Sequence, residues 1–93
     1  MRTIPQKSSL LFWRDQTGIE VDWVIDKDNQ YIPVEVKWTQ NPSSRDARHV
    51  STFIEEYSNS SRGYVICRIP RAQKLADGVI ALPWRDLNTI LEN

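Results

Sequence analysis

Three runs rich in β-branched and aromatic residues open the chain: Leu10 to Arg14, Ile19 to Ile25 and Tyr31 to Trp38. Polar turn residues separate them, Gln16-Thr17-Gly18 first and Lys27-Asp28-Asn29-Gln30 second. This pattern predicts a meander of three antiparallel strands joined by short hairpin loops. The period then changes. Asn41-Pro42-Ser43-Ser44 reads as a loop in which Ser43 caps a helix and Asp46 completes a capping-box pattern. Val50, Phe53, Ile54 and Tyr57 recur at helical spacing, while Arg48, His49, Glu55 and Glu56 fall on the other positions. Asn59-Ser60-Ser61 ends that helix. Gly63 to Ile69 is apolar apart from Arg68, as expected of a strand in the middle of a sheet. Pro70 to Asp77 reads as a loop and Val79 to Leu82 as a short strand. Pro83 then stands near the start of a last helix, Trp84 to Leu91, with Leu87, Ile90 and Leu91 facing inward. The predicted order is β-β-β-α-β-β-α in a single α/β domain spanning residues 1 to 93. The helix after the third strand permits a parallel crossover, so the sheet is expected to be mixed.

Charges interrupt this pattern where it should be most apolar. In GIEVDWVIDKDNQYIPVEVKW, Glu20, Asp22, Glu35 and Lys37 lie inside the second and third strands. Alternation puts Glu20 and Asp22 on one face, with Val21, Trp23 and Ile25 on the other. It likewise sets Glu35 and Lys37 opposite Val34, Val36 and Trp38. A hairpin centred near Asp28 pairs Asp22 with residue 34 or 35, which brings two carboxylates to roughly 5 Å between Cβ atoms. Such a pair either shares a proton or holds a cation. A hard divalent ion such as Mg²⁺ is commonly held by one or two carboxylates and water. With Lys37 beside it, the arrangement suits phosphodiester hydrolysis, in which the ion and an ammonium stabilise charge on the phosphate. The plainer alternative is a cross-strand or solvated charge pair of structural value only.

Composition narrows the field. Twelve basic and twelve acidic residues cancel, which argues against a dedicated high-affinity nucleic-acid binder. A local basic rim is available from Arg45, Arg48, Arg62, Arg68, Arg71 and Lys74. No apolar run has the length of a membrane span, and the opening MRTIPQKSSLLFW lacks the apolar core of a signal peptide. The single cysteine, Cys67, excludes an intrachain disulfide and is expected in the core, which with the missing leader points to a cytoplasmic setting. One His and one Cys give no support to zinc. His49 is expected to face solvent beside Arg48. Trp13, Trp23, Trp38 and Trp84 are expected to pack in the core or an interface rather than stack on bases.

The residues Glu20-Val21-Asp22, followed by Pro33-Val34-Glu35-Val36-Lys37, resemble the PD-(D/E)xK nuclease signature of the restriction-endonuclease-like superfamily. The stretches FWRDQTGIEVDWVI, IPVEVKW and FIEEYSNSSRGYVI more narrowly resemble the uncharacterised C-terminal domain of prokaryotic AAA-type ATPases. The superfamily resemblance implies that Asp22 and Glu35 are metal ligands for Mg²⁺ or Mn²⁺, joined by the main-chain carbonyl of Val36. Lys37 would position the attacking water and Glu20 would be an auxiliary acid. The substrate would be nucleic acid. Where the signature has proline, Val21 precedes Asp22. The superfamily core, α-β-β-β-α-β, opens with a helix that is not found before Leu10. The chain therefore reads as a detached, truncated C-terminal piece, with an ATPase domain or a second copy expected to cover the sheet. No GxxxxGK[ST] loop is present for ATP. The second reading implied is a non-catalytic interaction or assembly domain of such an ATPase, keeping the nuclease fold.

Overall fold

The computed structural model describes residues 8–14 and 20–92. Its first three elements are the strands β1 (Ser8–Arg14), β2 (Glu20–Lys27) and β3 (Gln30–Val36), paired antiparallel in sequence order. Asp28 and Asn29 turn the chain between β2 and β3 with positive φ of 53° and 63°. Two consecutive left-handed residues make the tight turn whose twist matches that of the flanking strands. Asp and Asn tolerate that conformation better than other non-glycine residues. The expected turn at Gln16-Thr17-Gly18, and the strand start at Ile19, lie outside the described residues.

The remaining elements complete two layers over one sheet. Ser44–Ala47 form a 3-10 turn that leads into helix α1 (Arg48–Glu56). Asp46 reaches back to accept the Ser43 N–H at 2.9 Å. The helix therefore starts with a tightened turn, a refinement of the α-helical start expected at Ser43. Strand β4 (Gly63–Cys67) follows α1 and pairs parallel with β3. Strands β5 (Gln73–Ala76) and β6 (Val79–Pro83) come next, and β6 pairs parallel with β4. The sheet has six strands in the order β1-β2-β3-β4-β6-β5.

Two expectations are corrected here. The loop expected over Pro70 to Asp77 contains strand β5, giving the order β-β-β-α-β-β-β-α. Its sequence, QKLA, is half polar because it pairs only with β6 at the sheet edge, and such a strand carries no apolar signature. Gly78, at φ 76°, closes the turn into β6. The last helix is also shorter than the expected Trp84 to Leu91. Pro83 is extended and ends β6, Trp84–Asp86 make a 3-10 turn, and α2 runs Leu87–Glu92.

Core residues divide between the faces. Val21, Val24, Val50, Phe53, Val65, Cys67, Val79 and Ala81 are buried on the α1 side. Ile25, Ile32, Val34, Ile66 and Ile90 are buried on the α2 side, with Trp23 and Leu87 half-buried against them. Strict alternation would have put Val21 with Trp23 and Ile25. Instead the β1–β2 register shifts between Leu11, opposite Val24, and Trp13, opposite Val21. Asp22 and Trp23 together thus oppose Phe12, and this bulge returns Val21 to the α1 face.

Gly63 sets how closely α1 approaches the sheet. A methyl group there would collide with Val50 Cγ1 and lie 2.9 Å from the carbonyl oxygen of Pro33. Backbone cannot yield as a flexible side chain can. Gly63→Ala is expected to destabilise the domain by about 1–3 kcal/mol through overpacking, read as a lower urea midpoint with an unchanged m-value. A midpoint equal to wild type would mean that α1 is not seated as described.

Candidate functional site

The β2–β3 ladder runs from the turn up to Trp23 opposite Val34. Asp22 and Glu35 are the next residues on their strands, beyond the last paired rung, and Asp22 acts on Glu35 through its charge. The last rung is unusual. Asp22 Oδ2, not a main-chain carbonyl, accepts the Val36 N–H at 2.7 Å. One residue on, the Lys37 N–H donates to the Ile66 carbonyl at 2.9 Å, so the end of β3 stays bound to β4.

Glu35 faces α1 and is only 7 % exposed. Its Oε1 lies 3.5 Å from His49 Nδ1 and 3.9 Å from Lys37 Nζ. Its other oxygen, Oε2, is buried without a hydrogen-bond partner among the described residues. These groups border a cavity of about 170 Å³ lined by Glu35, Lys37, Arg45, Asp46, Arg48 and His49. Burial pushes the Glu35 carboxyl above the ordinary carboxylate range. The Lys37 ammonium and then His49 pull it back down, while the Asp22 carboxylate across the hairpin pushes it further up. The net direction is upward, so the site favours a proton, or another cation, on Glu35.

Asp22, Glu35 and Lys37 thus gather at the carboxyl end of β3. Val36 ends that strand with its N–H engaged by Asp22. Glu20 begins β2, and its side chain lies outside the described residues. His49 corrects the expectation of a solvent-facing residue: its ring is turned to Glu35 and is less than one-third exposed. Helical periodicity places a residue relative to its own helix but does not say what lies beneath its edges. The topological signal was available, because the first turn of a crossover helix lies beside the end of the strand that feeds it. Arg45 and Arg48, assigned only to a basic rim, line the cavity for the same reason.

The tryptophans divide. Trp23 packs against the α2 layer as expected. Trp38 and Trp84 are 60 % and 58 % exposed, so of the two expected places, core or interface, the core does not hold them. Both lie beyond the last residue of their strands. The Trp13 side chain lies outside the described residues. Cys67 is buried as expected, and burial pushes its thiol up to about 11.

Fold and site together define a mixed-sheet α/β domain with an acidic and basic cluster at the carboxyl end of its third strand. The chain belongs to the family described as a domain of unknown function, DUF4143, whose model matches residues 2–87. No curated protein and no solved structure matches it. Among the described residues no group of three or more His, Cys, Asp or Glu is placed to hold a metal ion. No described helix is long and apolar enough to cross a membrane.

The raised Glu35 carboxyl has a consequence for stability. Its proton is held more tightly folded than unfolded, so its contribution is complete below the ordinary carboxylate range and is lost as pH rises through the raised folded value. The stability of Glu35→Gln relative to wild type should therefore increase across that window, measured by urea unfolding at a series of pH values. Lys37→Met should move the Glu35 titration further up in a carbon-detected NMR experiment. A Glu35 midpoint at or below the ordinary range would contradict the arrangement.

Proposed function

We propose that this chain is a PD-(D/E)xK nuclease-like domain that hydrolyses phosphodiester bonds of nucleic acid with the help of Mg²⁺ or Mn²⁺. One observation carries the reading: Asp22 lies close enough to Glu35 to act on it by charge, Lys37 stands beside Glu35, and Glu35 Oε2 is buried without a partner among the described residues. An unpaired buried carboxylate oxygen is costly, and a cation would relieve it. Two carboxylates and the Val36 carbonyl, the ligands the resemblance implies, would make a hard oxygen donor set of the kind that accepts Mg²⁺ with water completing its coordination. The meander followed by a crossover helix and a parallel strand matches the β-β-β-α-β part of the α-β-β-β-α-β core that the resemblance implies, and only that part.

The residues divide the work. Asp22 and Glu35 would hold the ion, which when bound would stabilise negative charge on the scissile phosphate and acidify water. Lys37, partly exposed at the mouth of the cavity, would orient the attacking water and oppose charge on the phosphate. His49 would hold Glu35 Oε1 in place from the α1 side. Attack by the water oxygen on phosphorus breaks the bond to the leaving oxygen, which departs with a proton as a hydroxyl.

A second reading has its own observation. The Asp22 carboxylate already completes the sheet ladder at Val36, and Glu35 Oε1 already has Lys37 and His49 nearby. A cluster with these internal roles serves equally in an interaction domain of an AAA-type ATPase that keeps the fold without the chemistry. The buried thiol and the lack of any disulfide suit a cytoplasmic protein on either reading.

Incubation with single-stranded, duplex and branched DNA and with RNA, in Mg²⁺ or Mn²⁺, separates the two. Wild type should produce metal-dependent cleavage. Lys37→Met should reduce the rate by about 10²–10³-fold, the usual cost of removing one transition-state donor, and Asp22→Asn at least as much. No product from any substrate, or equal rates from wild type and both variants, rejects the catalytic reading in favour of the interaction domain.

A further inference from the structure

Three residues follow the carboxyl ends of three adjacent parallel strands: Trp38 after β3, Arg68 after β4 and Trp84 after β6. The two indole rings are more than half exposed, with centroids 6.5 Å apart and planes inclined at 52°. The Arg68 guanidinium lies 5.5 Å from the centre of the Trp38 ring, within cation–π range. Main-chain and side-chain bonds hold the segments that carry them. The Arg68 N–H donates to the Thr39 carbonyl at 2.9 Å, and Arg85 Nη2 donates to the Pro70 carbonyl at 2.9 Å. Two exposed tryptophans side by side form an apolar surface that calls for a ligand.

The surrounding charge specifies which ligand. The segments leaving β3 and β4, residues 37–42 and 68–72, contain Lys37, Arg68 and Arg71 and no acidic residue. Arg85 adds a cation beside Trp84, with the acid Asp86 next to it in the chain. This asymmetry, in a chain with zero net charge, favours a polyanion with flat apolar groups. With their planes inclined at 52° the two rings make no parallel slot, and each offers its exposed face for a base to stack on. Bases inside a duplex are already stacked on their neighbours and offer no free face. The carboxyl ends of parallel strands are also where open α/β sheets bind their ligands.

We infer that Trp38, Trp84 and Arg68 form a base-stacking platform for single-stranded nucleic acid. It rests on the nuclease-like reading for its substrate class, and it adds which form of nucleic acid the domain takes and by which residues. Trp38 follows Lys37 directly, so a strand on the platform passes the edge of the sheet at which the Asp22, Glu35 and Lys37 cluster stands.

Binding can be separated from cleavage by working in chelator. Fluorescein-labelled oligothymidylate is titrated with the protein, followed by anisotropy and by tryptophan quenching, with a duplex of equal length as competitor. Trp38→Ala and Trp84→Ala are expected to weaken binding about ten- to a hundred-fold each, the range for loss of one stacked base. Because both side chains are exposed, thermal melting should show both variants folded. Arg62→Ala removes a cation before β4, at the far end of that strand, and should leave binding within about threefold, as expected of a remote charge. The inference is overturned if folded wild type does not bind the oligonucleotide, which would leave the patch to a protein partner. It is equally overturned if the duplex competes as well as the single strand, or if Arg62→Ala costs as much as the tryptophan variants. Binding without metal-dependent cleavage would sink the nuclease reading alone, and cleavage unaffected by both tryptophan variants would sink the platform alone.

Discussion

A side-chain oxygen stands in for a main-chain rung where β2 and β3 part. The Asp22 carboxylate accepts the Val36 N–H at 2.7 Å, a charge-assisted bond stronger than the amide pair it replaces. It joins the two strands just past their last paired rung, Trp23 opposite Val34. It also leaves Asp22 close enough for its charge to push the Glu35 carboxyl up. The same bond therefore finishes the hairpin and builds the electrostatic tension of the site.

The rest of the site follows from chain direction. Strands β3, β4 and β6 run parallel, so their carboxyl ends share one edge of the sheet. Helix α1 begins at that edge, because a crossover from β3 must return to the start of β4. Its first residues, Arg48 and His49, meet the strand that has just ended. Gly63 lets α1 lie close enough for this meeting, since Val50 and Pro33 leave no room for a side chain between helix and sheet. Chemistry on the α1 face and aromatic surface beyond the strand ends are two products of one topology.

Much of this was legible in the chain. The Asp28-Asn29 turn fixes the hairpin register, and with it the approach of Asp22 to Glu35. The helical stripe beginning Val50 and Phe53 predicted the buried face of α1, and the apolar run from Gly63 predicted a central strand. The misses have physical causes. Strand β5 draws its order from one neighbour and needs no apolar face, so QKLA looked like a loop. The bulge opposite Phe12 depends on a register shift that a count of alternating residues does not contain, and Val21 was assigned to the wrong layer. His49 was judged by its own helix alone, although its partner lies fourteen residues earlier on β3. Trp38 and Trp84 follow the last residues of their strands, so the alternation that sorts strand faces does not reach them.

Burial of Cys67 has a further meaning for chemistry from outside. With its thiol pushed up to about 11, the reactive thiolate at neutral pH amounts to roughly one molecule in ten thousand. The side chain is also closed to solvent between α1 and the sheet. Oxidants and alkylating reagents thus find no ready target at the only sulfhydryl in the chain. A cysteine introduced on the surface would be labelled against a silent background, and the native fold would act as its own protecting group.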